Sequence, residues 1–364
     1  MKLVYIANVR FPTEKAHGVQ IAKTCEAFER QGVTVSLVVP TRHNTIREDA
    51  FTYYGITKTF EITRLRIWDT VAWGRLGFIA ATVQFAVRAA WWVVRADAHA
   101  IYGRDHVVMW FVSLFSPVPI VWESHTGAWN FFAKQVAMRA QKIIVISHGL
   151  KEFYIARGVP VEKILVAHDG VDLQTFAEAE SKESARRRLN IPTDKKVALY
   201  IGRVDGWKGV VTLCEASRLV PEALVVVIGG EEHQVTALKR EYEHILFLGF
   251  RPYREIANNL SAADLLILPN TGTQEVSTHF TSPLKLFAYM ASGRPIVASD
   301  LPSVREILDN QSAFLVPADD PRALAHGIRD ALREGEAKAA RAREKVVDYD
   351  WQNRALRIIA CLKR

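Results

Sequence analysis

Short apolar runs alternate along the chain with longer stretches of helical periodicity, and this alternation predicts parallel sheets joined by crossover helices. The apolar runs contain too few polar residues to be half-exposed strands, so we expect helices on both faces of each sheet. In the first half the predicted strands are Lys2–Ala7, Thr34–Val39, Thr63–Trp68, Ala98–Tyr102, Ile120–Glu123 and Lys142–Ile146. The predicted helices between them include Val19–Arg30 and Trp129–Ala140.

The alternation restarts after a polar stretch, Ala177–Lys196, which we interpret as the region between two domains. The strands predicted beyond it are Val197–Ile201, Ala223–Ile228, Ile245–Leu248, Leu265–Leu268, Pro295–Ala298 and Ala313–Val316. The helices predicted there are Val210–Ser217, Gln234–Glu243, Tyr253–Leu260, Leu284–Ser292, Pro321–Glu334 and the amphipathic Trp351–Leu362.

These elements define an α/β protein with two Rossmann-like, doubly wound domains, and the 364 residues suit two domains. We place the first domain at residues 1–170 and the second at 171–347, with the C-terminal helix within 348–364 packing back on the first. Ligands of such sheets bind beyond the carboxyl ends of the strands, so we expect a ligand cleft between the two domains.

Composition excludes several classes of protein. Hydrophobic residues make up 49% and charged residues 24%, which is a globular balance and excludes disorder. The net charge of +8 favours anionic partners, namely phosphates, nucleic acid or an anionic membrane. No zinc-finger spacing or RNA-binding aromatic strand accompanies it, so we do not expect nucleic acid. Cys25, Cys214 and Cys361 form no CxxC motif, which indicates a reducing, cytoplasmic setting.

The segment Leu76–Val94 is nearly all apolar and approaches the length of a membrane-spanning helix. Arg88 lies well inside it, where lipid would make a charge expensive. We therefore expect a buried helix of an α/β domain, and the alternative is a helix with one face resting on a membrane.

Two motifs in the second half point to phosphate. Arg203 follows a predicted strand and Lys208 a short loop, so both cations can converge on one diphosphate. Ser282 suits a helix N-cap and Pro283 the first helical position, which would leave the amides up to Leu284 aimed at an anion. The alternatives are solvated loop charges and an ordinary capped helix.

The second half resembles the family 4 retaining glycosyltransferases, which have the GT-B fold, over about residues 165–335. His168–Asp172 resembles the segment that enters the family's C-terminal domain. The other matching residues are Gly202-Arg203, Lys208-Gly209, Gly229-Gly230, Gly249-Phe250, Ala263-Asp264, Ser282–Phe287 and Met290–Pro295.

This resemblance implies transfer of a hexose-type sugar from a nucleotide diphosphate sugar to a glycan or lipid-linked acceptor, with retention and without metal or cofactor. It implies catalytic roles for His125, Arg203 and Lys208. The implied phosphate contacts are Gly18, Arg203, Lys208, Ser282, Pro283 and Leu284. The implied nucleoside contacts are Gly230, Phe250, Arg251, Lys285 and the position of Ala288, and the implied sugar contacts are His125, Thr278, His279 and Thr281. A basic, tryptophan-containing chain also suits peripheral contact with an anionic membrane at the inner face of the cell membrane.

The chain departs from the family pattern at two positions. Similar sequences carry glutamate where this chain has Ala288, and many carry an acidic residue where it has Phe280. Because alanine cannot accept the hydrogen bonds of the donor ribose, we expect weakened donor binding. This leaves open a nucleotide-sugar binding protein with weak or no catalysis. A dinucleotide oxidoreductase is disfavoured, since no strand is followed by GxGxxG.

Overall fold

The computed structural model describes residues 1–204 and 206–363. Two compact units divide the chain, one formed by residues 1–168 with 351–364 and the other by residues 169–350. The strands of the first unit are β1 (Lys2–Ile6), β2 (Thr34–Pro40), β3 (Glu61–Leu65), β4 (Ala100–Gly103), β5 (Ile120–Ser124), β6 (Lys142–Val145) and β7 (Ile164–Val166). They form one seven-stranded parallel sheet in the order β3-β2-β1-β4-β5-β6-β7.

The helices of the first unit up to its last strand are α1 (Ala16–Arg30), α2 (Ala50–Tyr54), α3 (Gly74–Val93), α4 (His106–Phe115), α5 (Phe131–Arg139) and α6 (His148–Ile155). Helices α2, α4, α5 and α6 begin at polar side-chain caps, whereas α1 and α3 have none. The Asp105 side chain accepts the backbone N–H groups of Val107 and Val108, and Ser147 accepts that of Leu150.

The second unit repeats the same topology with a smaller sheet. Its strands are β8 (Lys196–Ile201), β9 (Ala223–Ile228), β10 (Leu246–Gly249), β11 (Leu265–Leu268), β12 (Ile296–Ser299) and β13 (Phe314–Val316), in the parallel order β10-β9-β8-β11-β12-β13. Its helices are α7 (Leu173–Ala177), α8 (Lys182–Leu189), α9 (Val210–Ser217), α10 (Glu232–Glu241), α11 (Ile256–Ser261), α12 (Glu275–Thr278), α13 (Leu284–Ser292), α14 (Pro302–Arg305), α15 (Pro321–Glu334) and α16 (Glu336–Lys345). In each sheet the strand order changes direction beside the first strand, at β1/β4 and at β8/β11, and such switch points are where these sheets bind ligands.

The last helix, α17 (Trp351–Leu362), belongs to the first unit. Its buried residues include Trp351, Ala355 and Ile358, at the spacing of one helical face. The same face buries the charged Arg354. The chain therefore returns to its first unit after completing the second.

The structure corrects three expectations. Strand β7 was not predicted, because its three residues are too few for a visible alternation. The polar stretch 177–196 does not lie between the units: it contains α8, which belongs to the second unit, and the division of the chain falls between His168 and Asp169. Helix α3 is not a buried helix, since its outer face exposes apolar side chains such as Leu76 and Trp91.

The misread polar stretch is explained by Arg186 of α8, whose side chain is buried. Its guanidinium donates hydrogen bonds to the carbonyl oxygens of Ala262 (2.9 Å), Thr193 (3.0 Å) and Lys195 (3.0 Å), and to the carboxylate of Asp264 (2.6 Å). The cation therefore joins the loops before β8 and β11 rather than facing solvent.

We expect Arg186→Met to lower the free energy of unfolding by about 3–5 kcal/mol, because the carboxylate of Asp264 would lose its buried partner. Denaturant unfolding measures the change. The matched control is Arg187→Met at the adjacent, exposed position, which should change stability by less than about 0.5 kcal/mol. Equal effects of the two substitutions would contradict the assigned role of Arg186.

Candidate functional site

The loop after β8 packs directly on the loop after β11, at the switch point of the second sheet. Gly209 makes this approach feasible: its φ is +67°, and a Cβ atom there would lie 1.7 Å from the carbonyl oxygen of Pro269. The Thr271 N–H also donates to the carbonyl oxygen of Trp207 (3.1 Å). These contacts hold Lys208 at the carboxyl ends of β8 and β11.

Lys285, in the first turn of α13, reaches back to the same strand end. Its ammonium lies 3.9 Å from the ring centroid of Tyr200 in β8. Gly202 provides the room, since a Cβ atom there would lie 2.7 Å from the Lys285 Nζ atom. The Nζ atom is buried and has no hydrogen-bond partner among the described residues. Burial, with the nearby charge of Lys208, holds the pKa of Lys285 well below its usual range.

The residues of the second unit that the sequence predicts to contact phosphate fall into two groups, one in the loop after β8 and one at the start of α13. Lys208 and the loop of Arg203 lie at the same strand end as Lys285, and the Arg203 side chain is exposed. Lys208 itself is half-buried, with its ammonium 3.3 Å from the ring centroid of Trp207. The structure therefore brings two lysines and an arginine-bearing loop to the switch point.

The start of α13 differs from the expected cap. The N-cap residue is Pro283 and the first helical residue is Leu284, so Ser282 is not the cap. The Ser282 hydroxyl instead accepts the backbone N–H of Asp169 (3.0 Å), a partner 113 positions away that local sequence could not reveal. The predicted end is confirmed, because Gly293 terminates α13 with φ +66°.

Ala288 lies one turn after Lys285 and is fully buried in the hydrophobic core of the second unit. Next to it, the Tyr289 hydroxyl accepts the backbone N–H of Ile201 at the end of β8 (3.0 Å). The position of Phe280 is also buried. Helix α13 is therefore fixed to β8 by a hydrogen bond and by packing, and the positions where the family carries acids are apolar here.

Other residues assigned by resemblance lie around this edge. A Cβ atom at Gly230 would meet the Val204 side chain at 2.7 Å, so the end of β9 packs against the loop after β8. Phe250 and Arg251 are exposed after β10. Thr281 is buried, His279 is exposed, and the Thr278 hydroxyl donates within α12 to the carbonyl oxygen of Glu275 (3.2 Å).

A buried carboxylate organises the corresponding region of the first unit. Glu123, at the end of β5, is fully buried. Its Oε1 atom accepts hydrogen bonds from Gln20 Nε2 (2.6 Å), Arg354 Nη2 (2.7 Å) and His125 Nε2 (2.6 Å), and the Tyr102 hydroxyl donates to Oε2. Arg354, with the other donors, holds the pKa of Glu123 far below its usual range despite its burial.

This network sets the state of His125. Burial and the charge of Arg104 lower the pKa of His125 to about 4, so the imidazole is neutral at pH 7. Because Nε2–H donates to Glu123, Nδ1 is left as a hydrogen-bond acceptor. The His125 imidazole can therefore orient a sugar hydroxyl through Nδ1, and the ring itself carries no positive charge.

Sequence reasoning missed Arg354 and Gln20. Gln20 lies in α1 and Arg354 in α17, 231 positions from Glu123. A signal for Arg354 was present: it is a cation on the apolar face of a predicted amphipathic helix, three residues after Trp351. A charge at such a position indicates a buried partner.

Gly18, implied by the resemblance as a phosphate contact, lies in the first turn of α1. Its N–H already donates to the carbonyl oxygen of Lys15 (2.9 Å). A Cβ atom there would lie 2.1 Å from the Tyr54 hydroxyl, so packing of Tyr54 explains the glycine. Arg104 donates to the side-chain oxygen of Gln20 (2.7 Å) and so supports the Glu123 network.

Two family models match the chain. The model described as "Glycosyltransferase Family 4" matches residues 17–175, and that described as "Glycosyl transferases group 1" matches residues 195–334. The two parallel-sheet units and these matches define a glycosyltransferase of the GT-B fold. The chain belongs to the family 4 glycosyltransferases.

Individual relatives agree with this assignment. A D-inositol 3-phosphate glycosyltransferase of Xylanimonas cellulosilytica is 30% identical over 312 residues, covering 72% of this chain and 73% of that protein. A phosphatidyl-myo-inositol mannosyltransferase of Mycobacterium leprae is 33% identical over 194 residues, covering 50% of each. The chain thus spans about half the length of the first mannosyltransferases that it matches. The structure of a sucrose-phosphate synthase from Thermosynechococcus elongatus superposes with a TM-score of 0.78 at 18% identity, covering 100% of this chain and 98% of that one, and supports the fold.

The lowered pKa of His125 predicts a pH-dependent stability. An unfolded histidine titrates near 6.5 and the folded one near 4, so the unfolded chain binds the extra proton first as the pH falls. Stability is therefore lost between pH 6.5 and 4, and His125 alone accounts for up to about 2 kcal/mol by pH 5. Denaturant unfolding at pH 7 and pH 5 should show a smaller loss for His125→Asn than for the natural chain. An identical loss would contradict the buried neutral imidazole.

Proposed function

We propose that this protein transfers a hexose-type sugar from a nucleotide diphosphate sugar to a glycan or lipid-linked acceptor, with retention of anomeric configuration and without a metal. The second unit holds the donor diphosphate through Lys208, Lys285 and Arg203. His125, in the neutral state, contacts the transferred sugar. Family membership supports transferase chemistry, and the donor, stereochemistry and metal independence are the proposed part.

The observation that carries the proposal is the buried ammonium of Lys285. An ammonium taken out of water without a hydrogen-bond partner is costly, and among the described residues the contact recorded for Nζ is with the ring of Tyr200. An anion at the switch point would supply a hydrogen-bond acceptor for Lys285 and would also attract the ammonium of Lys208. A diphosphate carries enough oxygens and charge to satisfy both lysines and the Arg203 fork.

The chemistry follows from where charge develops. Departure of the sugar from the diphosphate builds negative charge on the leaving phosphate, and cations fixed beforehand stabilise that charge in the transition state. The acceptor hydroxyl oxygen bonds to the anomeric carbon on the face that the phosphate leaves, and the leaving phosphate takes the hydroxyl proton, so the configuration is retained. The protein's contribution is position and electrostatics, since no carboxylate pair is required.

The acceptor assignment rests on surface properties and relatives. The matched relatives include proteins named for transfer to phosphatidyl-myo-inositol, which is a lipid. We propose that the enzyme is cytoplasmic, works at the inner face of the cell membrane and takes part in cell-surface polysaccharide biosynthesis. The comparisons do not favour the alternative of a binding protein with little catalysis, because the relatives are named as transferases.

The general test is a thermal-shift screen with UDP, GDP, ADP and their sugars, followed by turnover of the stabilising donor with and without a chelator. Binding of one class raises the unfolding temperature by mass action. Stabilisation by none of the nucleotides would overturn the proposal. Loss of turnover with the chelator would overturn its metal-free part alone.

Lys285→Met should change two properties in opposite directions. Without ligand, the variant should melt at a higher temperature, because a buried ammonium without a hydrogen-bond partner is replaced by an apolar chain of similar length. Affinity for the nucleoside diphosphate should fall by about tenfold or more, because a charged hydrogen bond is lost.

Calorimetric titration measures that affinity, and Lys239→Met, at an exposed position of α10, is the matched control. The control should change neither the affinity nor the unfolding temperature. Unchanged affinity in Lys285→Met would remove this lysine from the donor site.

Because Ala288 is fully buried, Ala288→Glu should lower the unfolding temperature without ligand, but it should tighten nucleoside diphosphate binding by about tenfold, since the new carboxylate can accept the ribose hydroxyls. Inorganic pyrophosphate, which has no ribose, provides the control ligand in the same titration. Its affinity should not increase. Equal changes for both ligands, or none for either, would show that position 288 does not face the ribose.

A further inference from the structure

The outer face of α3 carries an unbroken apolar stripe. Side chains at spacings of three and four residues along the helix are exposed by 40–80%: Leu76, Ile79, Val83, Val87, Trp91 and Val94, the last just beyond the helix end. The opposite face is packed into the first unit through residues such as Phe85 and Ala89, which are fully buried. The stripe is thus the exposed face of a helix whose other face is packed into the first unit.

Aromatic side chains lie at both ends of this stripe. Trp73, 78% exposed, precedes the helix, and Trp91, 62% exposed, lies in its last turn. Trp68, 82% exposed, belongs to a segment fixed beside the middle of α3, since its N–H donates to the Gln84 side chain (3.1 Å). Phe115, 60% exposed, ends the neighbouring helix α4. Tryptophans at the ends of an apolar surface suit the boundary between lipid headgroups and acyl chains.

The ionisable side chains between positions 70 and 96 are all cationic, and Asp69 and Asp97 flank this segment. Residues 70–96 contain Arg75, Arg88 and Arg95 and neither Asp nor Glu. All three are exposed, and the Arg95 guanidinium stacks on Trp91 with its carbon 3.8 Å from the ring centroid. By helical spacing, Arg88 and Arg95 lie along one side of the apolar stripe, and Arg75 lies on its other side. Cations beside an apolar stripe complement an anionic lipid surface.

Length and composition alone would allow this segment to cross a membrane: Val71–Val93 meets the criteria for a span among the described residues. The packing of α3 disfavours a membrane-spanning position, because insertion into the bilayer would remove Phe85 and Ala89 from the core of the first unit. A helix lying in the membrane plane keeps those contacts and covers only the stripe. Its 20 residues then present about 30 Å of apolar surface to the lipid.

A second copy of this chain is the competing occupant. In a symmetric pair the stripe would face itself, and each arginine would meet the same cationic surface on the other chain. The two acids that flank the stripe are engaged within their own chain, since Asp97 pairs with Lys2 and the Asp69 carboxylate accepts the backbone N–H of His43 (2.7 Å), so they do little to offset that repulsion. The charge pattern therefore favours anionic lipid over self-association.

We propose that this α3 surface, with Trp68, Trp73, Trp91 and Phe115, docks the protein on an anionic membrane, with α3 parallel to the membrane plane. This surface is distinct from the proposed donor site, and the docking does not depend on the transfer reaction. It would bring the enzyme to acceptors held in the same membrane.

The test is cosedimentation of the full chain with vesicles of phosphatidylcholine mixed with phosphatidylglycerol, and with vesicles of phosphatidylcholine alone. The natural chain should bind the anionic vesicles at least about tenfold more tightly, because each arginine near the surface adds attraction. Leu76→Glu combined with Val87→Glu should reduce binding to anionic vesicles by tenfold or more. Arg88→Gln combined with Arg95→Gln should remove most of the preference for anionic lipid.

Val211→Glu is the matched control: it places the same charge on an exposed apolar helical position of the second unit and should leave vesicle binding unchanged. Nucleotide-induced thermal shifts of the stripe variants should equal those of the natural chain, which separates failure of docking from failure of the donor site. Equal binding of natural and stripe-variant chains to anionic vesicles would overturn the proposal. So would a dimer in solution that the stripe substitutions dissociate, if the natural chain does not bind vesicles.

Discussion

A lysine ammonium buried without a hydrogen-bond partner is the feature on which the second unit depends. Taking such a charge out of water destabilises the folded chain, and the lowered pKa of Lys285 expresses the same cost. The surroundings are shaped to accept it, since Gly202 leaves room for Nζ and Tyr200 turns its ring toward it. No described residue offers Nζ a hydrogen-bond acceptor, and on the proposed function the donor diphosphate supplies one.

In the first unit, by contrast, the buried charge has several hydrogen-bond partners. Glu123 is fully buried, and it is satisfied by donors from three elements, namely Gln20, Tyr102 and Arg354, and by His125 in the loop after β5. A fully satisfied network rigidifies the groups that form it, so Glu123 fixes the ring of His125, while burial and the charge of Arg104 keep its pKa low. Arg354 extends this network to the backbone, donating to the carbonyl oxygen of His168 (3.0 Å), the last residue before the chain leaves the first unit. The first unit thus supplies a positioned neutral group, and the second supplies unsatisfied positive charge.

Local sequence predicted those parts of the fold that local chemistry determines. Helices α9, α13, α15 and α17 have the predicted bounds, because periodicity and residues such as Gly293 mark them. The misread features depend on partners far away in sequence: Arg186 is buried by carbonyl groups of two loops, and Ser282 binds Asp169 instead of capping α13. For the site, the motifs placed Lys208 after the strand end and the resemblance gave Lys285 a nucleoside contact, but neither the burial of the Lys285 ammonium nor the contact of Arg354 with Glu123 could be read from them.

The buried alanine at position 288 connects these points on the proposed function. Lys285 and Ala288 are three residues apart and lie on the same side of α13, where a carboxylate at 288 would lie close to the ammonium. Such a carboxylate would both accept ribose hydroxyls and offset the charge of Lys285. With alanine, the ribose loses its acceptor, but no acid at 288 competes for the ammonium. On the proposed function, donor recognition would therefore depend less on the nucleoside and more on the diphosphate, which is the part of the donor on which the transition-state charge develops.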